Sequence, residues 1–211
     1  RTEADSSPLA AYAGGRLGPV TLRGGAALAW HQIDSTRRVD FPGFSETLEA
    51  DYSARTAQVF GEVGYPLDLG PVALEPFAGL AYVHQHTEGF RESGGTAALQ
   101  ASSRSESLGY ATLGLRGATS FEPAEGTRVT AHAGVGWQRA LGGTAPKARL
   151  AFEGGQNFSV RGAPQARNSL ALDAGLDVQL GDQVSLGVSY NGQLARRSRD
   201  HGARVTLSVR F

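Results

Sequence analysis

Two carboxylates, Glu62 and Glu75, flank the stretch Pro66-Leu67-Asp68-Leu69-Gly70-Pro71, whose prolines and glycine mark a turn between two alternating segments. If that stretch centres a hairpin, Glu62 faces Glu75 and Phe60 faces Phe77 on one side of it. Carboxylates held side by side resist double ionisation, and such pairs serve general acid–base catalysis. Nothing near them in sequence supplies a nucleophile, so the plainer expectation is that each bonds an arginine on the same face. Further along, register extrapolation places Asp177 opposite Gly187 and Gly187 opposite Arg210. The acid and the base then flank a glycine two strand spacings apart, roughly 9–10 Å between backbones, which predicts a structural ion pair across it. His31, His84, His86, His132 and His201 are scattered without metal-ligand spacing. There is no G-x-S-x-G element and no phosphate-binding loop, and the absence of Cys excludes disulfides, Cys-zinc sites and thiol catalysis. No metal or cofactor is expected.

The elements that must position these groups are strands. On a strand, side chains alternate between faces. In the last segment Ala203, Val205, Leu207, Val209 and Phe211 share one face, while Arg204, Thr206, Ser208 and Arg210 share the other. The same oily-against-polar alternation runs through Val20–His31, where Leu22, Leu28 and Trp30 oppose Arg23. It recurs on both sides of the 66–71 turn, where Val59, Val63 and Tyr65 oppose Glu62, and Leu80 and Tyr82 oppose Glu75. Leu113 and Leu115 oppose Arg116, and Val135 and Trp137 oppose His132. Leu170 to Leu180 oppose Asp173 and Asp177, and Val184 to Leu194 include Tyr190. Nine strands are counted, near residues 8, 20, 54, 72, 108, 128, 168, 184 and 201. Pro76 predicts a bulge or an unpaired position, since proline cannot donate to a ladder.

Between strands, short turns at about 18, 68, 124 and 182 alternate with longer polar segments, read as loops, at 32–51, 86–106, 141–167 and 195–200. The middle of the third, Arg149 to Val160, suits a small hairpin outside the main sheet. Short turns at one end and long loops at the other are the pattern of an up-and-down barrel in an outer membrane, apolar face to lipid and polar face to lumen. A soluble barrel would need the reverse, and a core of Arg, Asp, Glu and Gln would be unstable. The fold class expected is therefore all-β, an antiparallel up-and-down transmembrane β-barrel. Its lumen-facing residues are Arg23, Glu62, Glu75, Arg116, His132, Asp173, Asp177, Arg204 and Arg210. Its aromatic girdle is Trp30, Tyr65, Tyr82, Trp137 and Tyr190. Arg196, Arg197 and Arg199 form a basic cluster in the last loop, suited either to solvent or to lipopolysaccharide phosphate. Twenty Lys plus Arg balance twenty Asp plus Glu, so no basic field argues for nucleic acid. An odd strand count is unusual for a bacterial barrel, and together with the absence of Met it predicts that this is a piece of a longer chain.

Four stretches sharpen this reading: Gly61-Glu62-Val63-Gly64-Tyr65, Leu74 through Tyr82, Leu113-Gly114-Leu115-Arg116, and Ser198 through Phe211. In order and spacing they closely resemble the C-terminal β-domain of type V autotransporters, across nearly the whole of residues 1–211. The resemblance implies a barrel of twelve strands, so that three strands and the helix threading the pore are missing from these nine. It also implies an outer-membrane anchor that enables secretion of its own N-terminal passenger and is inserted by the barrel-assembly machinery. By the same resemblance Ala203, Val205, Leu207, Val209 and Phe211 correspond to the assembly signal, and Glu62 and Glu75 could contact the pore helix. Two alternatives stay open, a barrel enzyme of the outer membrane and a passive pore or adhesin.

Overall fold

The computed structural model describes every residue of the chain except 144, 146, 153, 182, 197 and 211. Among the described residues there are fourteen strands and no helix. They are β1 (Thr2–Leu17), β2 (Val20–Phe41), β3 (Phe44–Gly64), β4 (Leu67–Asp68), β5 (Val72–Thr87), β6 (Phe90–Arg91) and β7 (Leu99–Ala101). Then follow β8 (Arg104–Ala124), β9 (Thr127–Leu141), β10 (Lys147–Phe152), β11 (Phe158–Arg161), β12 (Asn168–Leu180), β13 (Val184–Ala195) and β14 (Ser198–Val209). Nine long strands pair in the order β1-β2-β3-β5-β8-β9-β12-β13-β14, with β4 added beside β5. Each of the nine is antiparallel to the strand beside it, an up-and-down sheet curled into part of a barrel.

Segregation of the two faces is what the alternation anticipates. Val205 (69% exposed), Leu207 (66%), Leu80 (65%) and Leu113 (57%) stand open on one face. Very little is enclosed: among the described residues the buried apolar ones are Leu48, Ala50, Ala54, Ala98 and Ala140. A chain that leaves its large aliphatic side chains outward and still orders its backbone needs an apolar solvent on that side.

Two of the expected loops are instead strand. Residues 32–51 continue β2 and β3 up to a two-residue turn, Pro42-Gly43, in which Gly43 has φ +86°, backbone an L side chain rarely adopts. Residues 198–200 already belong to β14, joined to β13 by a tight turn that pairs Ala195 with Ser198. Both faces carry polar side chains in these stretches, so alternation fails there, and the backbone ladder needs no apolar side chain. The hairpin expected outside the main sheet is present as β10–β11, Leu150 opposite Phe158, within a second sheet of order β11-β10-β7-β6. At Pro76 the ladder gap falls on the partner side: the Tyr65 amide donates to the Pro76 carbonyl at 3.0 Å, and β3 breaks at Tyr65-Pro66 before β4 resumes.

Candidate functional site

On the polar face the sheet gathers four charged side chains from four strands. Register sets Arg23 on β2 opposite Glu62 on β3, and Glu75 on β5 opposite Arg116 on β8. The Arg23 Nη1 donates to Glu62 Oε1 at 3.1 Å and to Glu75 Oε1 at 2.6 Å, and its Nη2 donates to Glu75 Oε2 at 3.3 Å. The Arg116 Nη2 donates to Glu62 Oε1 and Glu75 Oε1, both at 2.6 Å. Room for this comes from glycine: a Cβ on Gly64 would collide with the Glu75 side chain. Phe77, two residues along β5, places its ring centroid 4.5 Å from the Arg116 guanidinium carbon and its edge over Gly114.

The cluster unites Glu62 and Glu75, but not as neighbours across a ladder. Glu62 lies opposite Gly79 and Phe60 opposite Ala81, four residues beyond the partners expected from a hairpin centred on 66–71. The true turn lies further on, because Leu67-Asp68 pairs back onto β5 and the Leu69 amide closes onto the Val72 carbonyl at 3.0 Å. Both carboxylates are ion-paired with two guanidinium groups each, which holds them in the charged form. The geometry is that of a neutral structural clamp and not of an acid–base pair.

The Asp177–Arg210 pair is a second correction. Asp177 does lie opposite Gly187, with its Oδ1 2.7 Å from where a Cβ there would stand. Gly187, however, faces Thr206, because the tight Ala195–Ser198 turn sets β14 four residues away from the expected register. Asp177 instead approaches His132, Oδ2 to Nδ1 at 3.5 Å, and the Arg210 amide donates to the Gln183 carbonyl. Asp173 leans over Gly134, and Arg204 lies opposite Ser189 on the polar face. The open face carries Trp30, Tyr82, Trp137 and Tyr190, and Tyr65, just beyond β3, is also exposed. Ala203, Val205, Leu207 and Val209 share the open face of β14, whereas Phe211 lies outside the described residues, as does Arg197.

A second constellation escapes sequence reasoning. Segment 88–101 folds back over the polar face of the β2–β3 hairpin. Glu92, only 7% exposed, accepts from Arg37 Nε at 3.0 Å, Arg37 Nη2 at 2.5 Å and the Leu99 amide at 2.8 Å. Glu46 accepts from the Thr96 and Ala97 amides, both at 2.9 Å, and from the Thr96 hydroxyl at 2.8 Å. Tyr52 stacks on Phe90 with ring centroids 4.5 Å apart, and Leu48 is fully buried beside them. The Arg37 hydrogen bonds hold the Glu92 carboxyl below the usual range against its burial, and the Ala97 and Thr96 amides do the same for Glu46. No local signal announces partners about fifty residues apart in the chain.

Residues 1–191 match the Autotransporter beta-domain family. Two extracellular serine proteases of Serratia marcescens are each 36% identical over 208 residues, 98% of this chain and 20% of each protein. The chain thus spans about a fifth of the length of these curated relatives. Among solved structures, the translocator domain of the autotransporter NalP from Neisseria meningitidis shares the fold. The TM-score is 0.70 at 21% identity, covering 100% of this chain and 67% of that one. The matched part of the proteases is the β-domain, which in this family is not catalytic. A sheet with an apolar face for lipid and a clamped polar face behind it, matched over this extent, belongs to the autotransporter β-domain family, the outer-membrane translocators of type V secretion.

Proposed function

We propose that the polar face lines the lumen through which this protein's own N-terminal passenger is exported. In this reading Arg23, Glu62, Glu75, Arg116, His132, Asp173, Asp177, Arg204 and Arg210 are lumenal, and the chain itself performs no catalysis. The observation that carries it is the Arg23–Glu62–Glu75–Arg116 clamp, four charges on one face of a sheet whose other face is uncovered aliphatic surface. A wall whose four clamped charges cancel presents hydrogen-bonding surface to a polypeptide or a pore helix without trapping either by net charge.

Among the described residues both outer strands, β1 and β14, have a partner on one side only. Open edges of this length template aggregation, and closure removes them. We read the complete domain as twelve strands, three more lying between β1 and β14, with a helix in the pore. Ala203, Val205, Leu207, Val209 and Phe211 are the proposed signal read by the barrel-assembly machinery. Trp30, Tyr65, Tyr82, Trp137 and Tyr190 are the proposed girdle at the interfaces with lipid and lipopolysaccharide.

The test is surface display. In the full-length protein, replacing Leu207 and Val209 by Asp is expected to abolish both heat-modifiable folding and exposure of the passenger to protease on whole cells. Passenger display undiminished in that variant, or in a deletion of β12–β14, overturns the translocator reading.

A further inference from the structure

Cations on the open face are confined to one end of it. On β9, β12, β13 and β14 that face carries Arg139, Arg199 and His201 at the loop end, and Arg196 stands in the adjoining β13–β14 turn. At the opposite end the same strands present Val129, Val178, Val184 and Val209. No described residue on that face of these four strands is Asp or Glu, and Arg139, Arg196 and Arg199 have no carboxylate partner among the described residues. Asp200, the nearest acid in sequence, pairs with Gln193 and points to the polar face.

Three of these cations, Arg196, Arg199 and His201, line a groove of about 490 Å³ together with Trp137, Leu170 and Leu194. Its floor is one row across the sheet: Trp137 lies opposite Leu170, Leu170 opposite Leu194, and Leu194 opposite Arg199. Arg139 stands one row further toward the loops, opposite Asn168, which also lines the groove. The His201 ring is steadied from below by Tyr190, whose hydroxyl lies 2.6 Å from His201 Nδ1. Along β13, Val184 to Leu194 at about 3.3 Å per residue and a tilt of about 40° rises about 25 Å, the height of an outer-membrane apolar band. The cations therefore stand at headgroup level of the leaflet on the long-loop side, which faces the exterior. Arg139 and Arg199 are three strand spacings apart, about 14 Å, too far to share one phosphate.

We infer that this groove binds lipopolysaccharide: Arg139, Arg196 and Arg199 take the separated phosphates of its sugar headgroup, while Trp137, Leu170 and Leu194 receive the first methylenes of its acyl chains. The inference rests on the outer-membrane placement of the translocator. Guanidinium groups suit it because they bind phosphate bidentately while their stems lie along apolar surface. A single-phosphate glycerolipid would satisfy only one end of the row.

The experiment uses the full-length protein folded in neutral detergent. Retention of bis-phosphorylated lipid A is read by native mass spectrometry against the same lipid stripped of phosphate and against phosphatidylglycerol. Wild type is expected to retain the phosphorylated lipid, R139A/R196A/R199A to retain at least tenfold less, and R139K/R196K/R199K most of it. Heat-modifiable mobility confirms folding, and R196A/R199A, confined to the hairpin end, supplies the same readout should the triple variant fail to fold. Undiminished retention by the folded alanine variants overturns the site, as does equal retention of dephosphorylated lipid A or of phosphatidylglycerol. Passenger display, scored on the same strains, tests the translocator reading separately.

Discussion

Removing one carboxylate from the four-charge clamp tests whether it holds the sheet together. Glu75 accepts three of the five hydrogen bonds in the cluster, two from Arg23 and one from Arg116. In Glu75→Gln the amide oxygen keeps at most part of this, and the amide nitrogen points N–H groups at guanidinium N–H groups. Hydrogen bonds to charged partners contribute about 1.5–3 kcal/mol each. The Glu75 side chain is 16% exposed and the arginines are 32–39% exposed, so solvent takes back much of that. The expected cost is about 2 kcal/mol, a factor of about 30 in the unfolding equilibrium. Glu62→Gln loses two hydrogen bonds and should cost about half as much. Urea unfolding of the detergent-folded protein, followed by emission from the exposed Trp30 and Trp137, reads both. The decisive variant is Glu75→Gln with Arg23→Gln: because the two residues share one network, the double substitution should cost less than the sum of its parts by about 0.5–3 kcal/mol. Additive effects, or a Glu75→Gln protein that unfolds with wild type, would show that the clamp is solvated decoration.

Steric fit on the polar face predicts that Gly114→Leu destabilises the sheet, because the Phe77 ring occupies the space a side chain needs there. Phe77→Ala in the same chain should restore part of the lost urea resistance. On the open face, Leu113→Arg should cost about 2–4 kcal/mol in a bilayer if Leu113 lies near the midplane, measured by refolding into lipid vesicles; a neutral result would place it at an interface. The segment over the β2–β3 hairpin should respond to acid. A carboxyl depressed in the folded state, such as Glu92, contributes stability that is complete above the ordinary carboxylate range, about pH 4–5, and is lost as pH falls through its lowered value. The Leu99 amide resonance, whose donor bond ends on Glu92, is expected to hold constant at neutral pH and shift only below that range. Glu92→Gln should open the segment to trypsin already at neutral pH, and equal resistance to cleavage at Arg91 would refute the anchoring role.

What the sequence made legible, and what it hid, follow from one property of strands. Alternation has a period of two, so the nine long strands could be read from it, and with them the shared face of Arg23, Glu62, Glu75 and Arg116. An error of four residues in register leaves that face unchanged, because four is even. Glu62 and Glu75 were therefore assigned to the right side with the wrong opposite numbers, and Asp177 was given Arg210 where the structure supplies His132. What sets register is the turn, and here turns were misplaced where polar strands pass for loops: at 67–68, where β4 pairs back, and at 198–200, where β14 has already begun. The same blindness concealed Arg37, Glu46 and Glu92. Where polar side chains occupy both faces of a strand the period vanishes, and contacts across about fifty residues depend on how one loop folds. The four-charge clamp on the polar face escaped as a unit for a related reason. Arg23 and Glu75 sit on strands that are not neighbours, and what lets them meet is the missing side chain of Gly64 on the strand between them. A glycine in a strand reads as a weakness until its neighbours are known; here it is the space through which a charge crosses the sheet.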